Sequence, residues 1–258
     1  MAALDRAGDP AVAATLIADG GWAAAILSPL LARPDARWPL AGRVVGARAT
    51  LVIERRADLA LAVTTLRPEP LPDGVVAGGR RLFVRVLAGR GRLDRWHAGP
   101  VGNDFTAASA PPLGPCRSSD LAPGGVAAID GRAEAHRFVA TDGALVLLTL
   151  TLAADAAPLL RDYALPDGVL RRVVAAEGEA ARAAMLVEVL GAMGAGSAGL
   201  AAVSAHPAFF VRWAAMRQWL AQDAAGAAPT LAHMATDDPH PEVRAAAVAA
   251  HAMLACPA

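Results

Sequence analysis

The spacing of apolar residues changes twice along the chain, and that change limits the folds open to it. From about residue 42 to 154, short runs of large apolar and β-branched residues dominate, at 50–54, 59–65, 82–87, 126–129, 136–139 and 145–152. Clusters of Gly, Pro and Asp separate them, at 68–79, 89–91, 99–103, 111–115, 123–125 and 142–143. Many short strands with glycine-rich turns make an antiparallel sandwich or barrel, and no helix-length pattern lies between them to support a doubly wound sheet. On both sides the period is helical. Residues 10–31 place Leu16, Ile17, Trp22, Ile26 and Leu30 on one or two short helices broken at Gly20–Gly21. The pattern turns helical again after Pro158. Met185, Leu186, Val189, Leu190 and Met193 share one helical face, and Phe210, Trp213, Met216 and Leu220 follow a related spacing. Val243, Ala246, Ala247, Ala250 and Leu254 form the last such stripe. The reading is an α+β protein: N-terminal helices over 1–40, an antiparallel β-barrel over 41–155, and a helical module over 156–258.

Composition narrows the chemistry. The 258 residues are 55% hydrophobic with a formal net charge of zero, enough apolar mass for a core and no basic excess of the kind a nucleic-acid binder uses to displace counterions. Every basic residue is Arg, which removes Schiff-base and lysine phosphate-loop mechanisms. Arg80, Arg81, Arg85, Arg90, Arg92 and Arg95 interleave with apolar residues and read as the solvated edge of a sheet. Cys116 and Cys256 are too few and too distant in sequence for a disulfide scaffold, which fits a reducing compartment. Asp5 and Asp9 beside Arg6 are wrong for a signal peptide, and no run of about 20 apolar residues is uninterrupted, so the expectation is a cytoplasmic protein without a membrane span.

Residues 237–247, Asp237-Asp238-Pro239-His240-Pro241-Glu242-Val243-Arg244-Ala245-Ala246-Ala247, resemble the second-helix signature of HEAT-type repeats. Asp238 is expected to cap the helix with Pro239 at its first position, and Arg244 to reach an acidic group of an adjoining helix. His206-Pro207-Ala208-Phe209-Phe210-Val211-Arg212 echoes it, and the two His-Pro starts lie 34 residues apart (240 minus 206). The resemblance covers about residues 200–256 and implies a helical module that docks on the rest of the protein or mediates one contact. His233, His240 and His251 read as surface residues.

Residues 82–152 resemble a cupin-type jelly roll. Phe83-Val84-Arg85-Val86-Leu87-Ala88-Gly89-Arg90-Gly91 is similar to the strand and Gly turn that follow the first cupin motif, and residues 121–129 to the turn and strand that open the second. His136, before Arg137-Phe138-Val139, stands near the place of that motif's metal-binding His, and residues 145–150 are similar to the closing strand. The first motif, which supplies most cupin metal ligands, has no counterpart, because no His precedes His97. One His does not hold a divalent metal against water. The expectation is therefore a barrel without cofactor, with no catalytic residues and with His97 and His136 as hydrogen-bonded structural groups.

The leading expectation is a non-enzymatic accessory or scaffold protein that contacts another protein. A small ligand in the barrel would meet Arg85, Trp96, His97, Asp104, His136 and Arg137. One alternative is a cupin-type oxygenase or isomerase holding Fe, Mn or Zn on His97, Asp104 and His136. Another is a small-molecule sensor that uses Arg85, Trp96 and Arg137 without metal. The cupin resemblance also implies pairing of two copies through sheet edges. Ser118-Ser119-Asp120 lacks a nucleophile-elbow context and reads as a turn or strand start.

Overall fold

A computed structural model describes residues 8–19, 21–22, 25, 42–102, 105–153, 155–176, 178–194 and 196–255. Ile26, Leu30, Asp104, Cys256 and the connector at 33–39 lie outside the described residues. The chain divides into two units. The first takes residues up to 100 with 112–157 and 161–171, the second 101–111, 158–160 and 172–258.

The first unit is built on strands β1 (Gly42–Val45), β2 (Arg48–Arg55), β3 (Leu59–Leu66), β4 (Gly74–Ala77), β5 (Arg81–His97), β6 (Arg117–Leu121), β7 (Val126–Asp130) and β8 (Glu134–Leu152). All of these except β4 form an antiparallel sheet in the order β1-β2-β3-β8-β5-β6, with β7 also pairing β5. The antiparallel pairing is that expected of a barrel or jelly roll, and among the described residues no pairing joins β1 to β6 or β7. The bend of the sheet comes from β5 and β8, strands of 17 and 19 residues that run together along their whole length. β5 passes through Gly89 and Gly91 and β8 through Asp142–Gly143, segments whose composition predicts turns. The register of β5 shifts between Val86 and Gly91, where Gly89 has φ +81° and a Cβ on it would meet the Ala144 carbonyl oxygen at 2.0 Å. Only a residue without a side chain lets the two backbones approach this closely, so the glycines bend a continuous strand where a turn was expected.

Strand alternation gives the roll two faces with different fates. Leu59, Leu61, Phe83, Leu148, Leu150 and Leu152 pack outward against Ala13, Leu16 and Ile17 of α1 (Pro10–Ala18). Asp9 starts that helix by accepting a hydrogen bond from the Ala11 amide at 2.8 Å, with Pro10 at the first helical position. Leu66, Val84, Val86, Leu93, Leu121, Ile129, Leu145 and Leu147 form the inner core. A smaller sheet of β4 with the hairpin β9 (Leu159–Ala164) and β10 (Leu170–Ala175) brings Val75, Ala77 and Tyr163 together with Trp96 and Ala135. The stretch after Pro158, expected to be helical, thus begins as strand. Residues 159–164 alternate buried and half-buried, a period-two pattern too short to stand out in the sequence.

The second unit contains α2 (Glu179–Ala192), α3 (Ser197–Val203), α4 (Phe209–Gln222), α5 (Ala224–Asp237) and α6 (Pro241–Ala255). Val187, Leu200, Ala215, Met216, Leu231, Val243 and Ala247 form its core. The last helix starts at Pro241, where Pro239 was expected, because Asp238 is committed elsewhere: its carboxylate takes Arg212 Nε at 2.9 Å and Nη2 at 2.7 Å in a buried, two-pronged ion pair. Arg212 uses Nη1 on the carbonyls of His206 and Pro207. Arg244 donates to the Asp238 carbonyl, so the contact with an acidic side chain expected of it belongs to Arg212. His240 is 1% exposed, which corrects its surface reading. Its Nδ1 accepts from the Glu242 amide at 3.3 Å, so the proton lies on Nε2, 2.7 Å from the Phe105 carbonyl oxygen. His206 Nδ1 likewise accepts from the Ala208 amide at 3.0 Å. Each His-Pro start therefore closes on the amide two residues on. No helix of the described residues is long and apolar enough to cross a membrane.

Candidate functional site

The residues expected to line one ligand pocket fall into three places. Arg85 shares the outer face with Leu148 and donates to the Ala18 carbonyl at the end of α1, which removes it from any pocket with the others. Trp96 pairs with Ala135 and Asp94 with Arg137, all on the face toward β4 and β9. His97 pairs with Glu134 and Arg95 with His136, one residue along each strand and hence on the opposite, inner face. Adjacent positions in sequence, Trp96–His97 and His136–Arg137, end on different sides of the sheet.

On the β4 side a cleft of about 560 Å³ is bordered by Arg92, Asp94, Trp96, Cys116, Ser118 and Arg137. Asp94 is 1% exposed and accepts from Arg92 Nε at 2.7 Å, Ser118 Oγ at 2.7 Å and Arg137 Nη2 at 3.1 Å. Burial alone would raise its pKa; the hydrogen bonds from Arg92, Ser118 and Arg137 and the charge of Arg92 outweigh that and hold it below the ordinary carboxylate value. The Arg137 guanidinium lies 5.3 Å over the Trp96 ring. The Asp94 carboxylate is satisfied by these three donors, while Arg137 Nε stays buried with no hydrogen-bond partner among the described residues, and the cluster reads as the brace of the bent strands.

The inner face carries the open chemistry. His136 is packed edge-on against Phe138 at 5.4 Å, and its Nδ1 is buried with no hydrogen-bond partner among the described residues. Desolvation, with Arg48 and Arg95 repelling a proton, pushes its pKa down to about 4, so the ring is neutral at pH 7. Pairing of Val45 with Arg48, Arg43 with Thr50 and Arg55 with Ala60 puts Arg43, Arg48, Thr50, Val52 and Arg55 on this same face. They line a cleft of about 960 Å³ together with Glu69. Arg43 and Arg48 are not among the residues expected from sequence, although a signal for them is present: two arginines flank a Gly46 turn at positions that hairpin pairing turns to one side.

Metal ligands are sparse here. His136 offers one free nitrogen, while the Glu134 carboxylate is engaged by the Asp130 amide at 3.1 Å. Among the described residues no three His, Cys, Asp or Glu side chains gather as a metal cage, and Asp104 lies outside them. The described side chains alone do not fit a resident ion.

No family model and no curated protein matches the chain. Solved structures resembling about half of it are of the cupin type. Oxalate decarboxylase from Lactobacillus farciminis is 14% identical over 49% of this chain, with a TM-score of 0.33 and 33% of its own length covered. The iron(II) form of HppE is 21% identical over 46% of this chain and 57% of its own, with a TM-score of 0.32. A sugar phosphate isomerase of the cupin superfamily from Silicibacter pomeroyi is 18% identical over 48% of this chain and 73% of its own, with a TM-score of 0.30. The chain spans about a third of the length of the oxalate decarboxylase it matches. The expectation of a cofactor-free roll is corrected by this comparison, since a protein in its iron(II) form stands among the structures similar to this one. The HEAT-type resemblance of the last helices draws no support from it.

Proposed function

We propose that this chain is a small-molecule-binding protein whose ligand lies on the inner face of the roll, in the cleft between β1, β2 and Glu69. The observation that carries this reading is the cleft itself, about 960 Å³ and lined along β2 by side chains of one face, a size suited to a small ligand. The test is a thermal-shift screen of small metabolites against the protein and a Val52→Trp variant that fills the floor of the cleft. Compounds that raise the Tm of the first and leave the second unmoved support the reading. Compounds that raise both equally bind elsewhere and overturn it.

A second reading, a cupin-type metal-dependent oxygenase or isomerase, is favoured by the buried, unpartnered Nδ1 of His136 on that same face. Elemental analysis of untagged protein, beside a His136→Leu variant, tests it. Near-stoichiometric iron, manganese or zinc that falls away in the variant supports the enzyme. Metal content unchanged by the variant excludes His136 as a ligand.

A further inference from the structure

The inner cleft has a charge pattern that selects among small molecules. Arg43 and Arg48 stand at diagonal positions across the β1–β2 hairpin, since Arg43 pairs with Thr50 and Arg48 with Val45. Diagonal neighbours on one face are close enough for long side chains to meet. Neither guanidinium has an ion pair or a side-chain hydrogen bond among the described residues. The nearby acid, Glu69, accepts from the Ala47 amide at 3.4 Å and so is turned to the hairpin backbone. Two cations held together without an anion repel each other, and a bound anion removes that repulsion. A hydroxyl donor accompanies them. Thr50 Oγ1 and Thr64 Oγ1 lie 3.2 Å apart and share one hydrogen bond, which leaves one of the two hydroxyl protons to give away. Val45 and Val52 supply apolar walls beside the charges.

We propose that the cleft binds an organic anion, a carboxylate or a phosphate ester, whose acid group sits between Arg43 and Arg48 and within reach of the Thr50–Thr64 hydroxyls. A planar guanidinium matches either oxyanion with two parallel hydrogen bonds, so the two ligand classes share one recognition chemistry. This inference rests on the inner cleft being the ligand site. Arg55, at the far end of β2 on the same face, offers a third cation to a ligand long enough to span the strand.

The test is calorimetric titration with succinate, glycerol phosphate, inorganic phosphate and the neutral polyol erythritol as probes. Wild-type protein, Arg43→Gln, Arg48→Gln and the remote control Arg182→Gln are compared, with the amide resonances of Thr50 and Val52 followed by NMR. The expected result is binding of succinate or glycerol phosphate that perturbs both amides, weakens with added salt, and loses at least tenfold in affinity in the Arg43 and Arg48 variants alone. Preference for one probe over the other separates carboxylate from phosphate as the source. Erythritol binding with the same amide shifts, unaffected by either variant, overturns the anion while the cleft remains the ligand site. Anion binding that leaves the two amides unmoved places the anion elsewhere and overturns the inference. No binding by any probe also overturns it, and the screen with Val52→Trp then decides the cleft separately.

Discussion

Two residues on opposite faces of the same strand pair respond to acid in different pH windows. His136 is neutral in the folded protein down to about pH 4, whereas an exposed imidazole takes its proton near 6.5. Its depressed pKa means the unfolded chain binds the extra proton first, so the stability tied to it is complete above 6.5 and is lost as pH falls toward 4. By linkage that loss is on the order of 3 kcal/mol across the window. Replacing His136 with Leu is expected to flatten the denaturant midpoint between pH 6.5 and 4, and a slope that persists in the variant would assign the effect to another group. Asp94 acts lower. Its carboxyl is held below the ordinary 3.8, so its contribution stands above that value and disappears as pH drops through the folded pKa. Asp94→Ala strands the buried end of Arg137 and is expected to cost about 3 kcal/mol at pH 7, read by urea unfolding, the low end for a broken buried pair because Arg92 is half in solvent.

At the scale of elements, glycines and one ion pair carry the constraints. Gly89→Ala would push a methyl into the Ala144 carbonyl at a positive φ, and a loss of more than about 1 kcal/mol in stability is expected. Arg212→Lys keeps the charge but loses the two-pronged contact with Asp238, so a double-mutant cycle with Asp238→Asn is expected to return a coupling above about 1 kcal/mol. The helix α2 makes the opposite point. Met185, Leu186 and Met193 look like a core stripe in the sequence, yet they are 70%, 61% and 74% exposed, and Val187 is the buried residue of that helix. Met185→Gln and Met193→Gln should therefore shift the unfolding midpoint by no more than about 0.5 kcal/mol, where a buried stripe would cost several times that.

For the molecule as a whole, the strand-rich middle and the helical end are legible in apolar spacing, because period two and period 3.6 are imposed by the backbone itself. The runs at 59–65 and 145–152 became β3 and part of β8, paired along their full length. What spacing does not carry is pairing partner and register. The stretch at 89–91 reads as a turn because a turn and a bulge ask the same thing of a residue such as Gly89, freedom at positive φ. Residue type alone points to the candidate ligand residues, and alternation along β5 and β8 distributes them to two faces. Arg43 and Arg48 show the converse: their juxtaposition depends on a hairpin register that residue type alone does not declare. Asp238 is of the residue type that caps a helix, yet its carboxylate accepts from the His240 amide ahead of the helix, and its ion pair with Arg212 spans 26 residues and has no local signature.

The contact between His240 and the Phe105 carbonyl spans 135 residues, and both lie in the helical unit although Phe105 comes from the loop between β5 and β6. During synthesis the loop leaves the ribosome first and waits for its imidazole. At a translation rate of about 5–20 residues per second that delay is roughly 7–27 s, far longer than a hairpin needs to form. The roll thus has time to close its strands before the helices arrive to claim the loop, and slowing the ribosome lengthens the interval in which that segment is open to proteases.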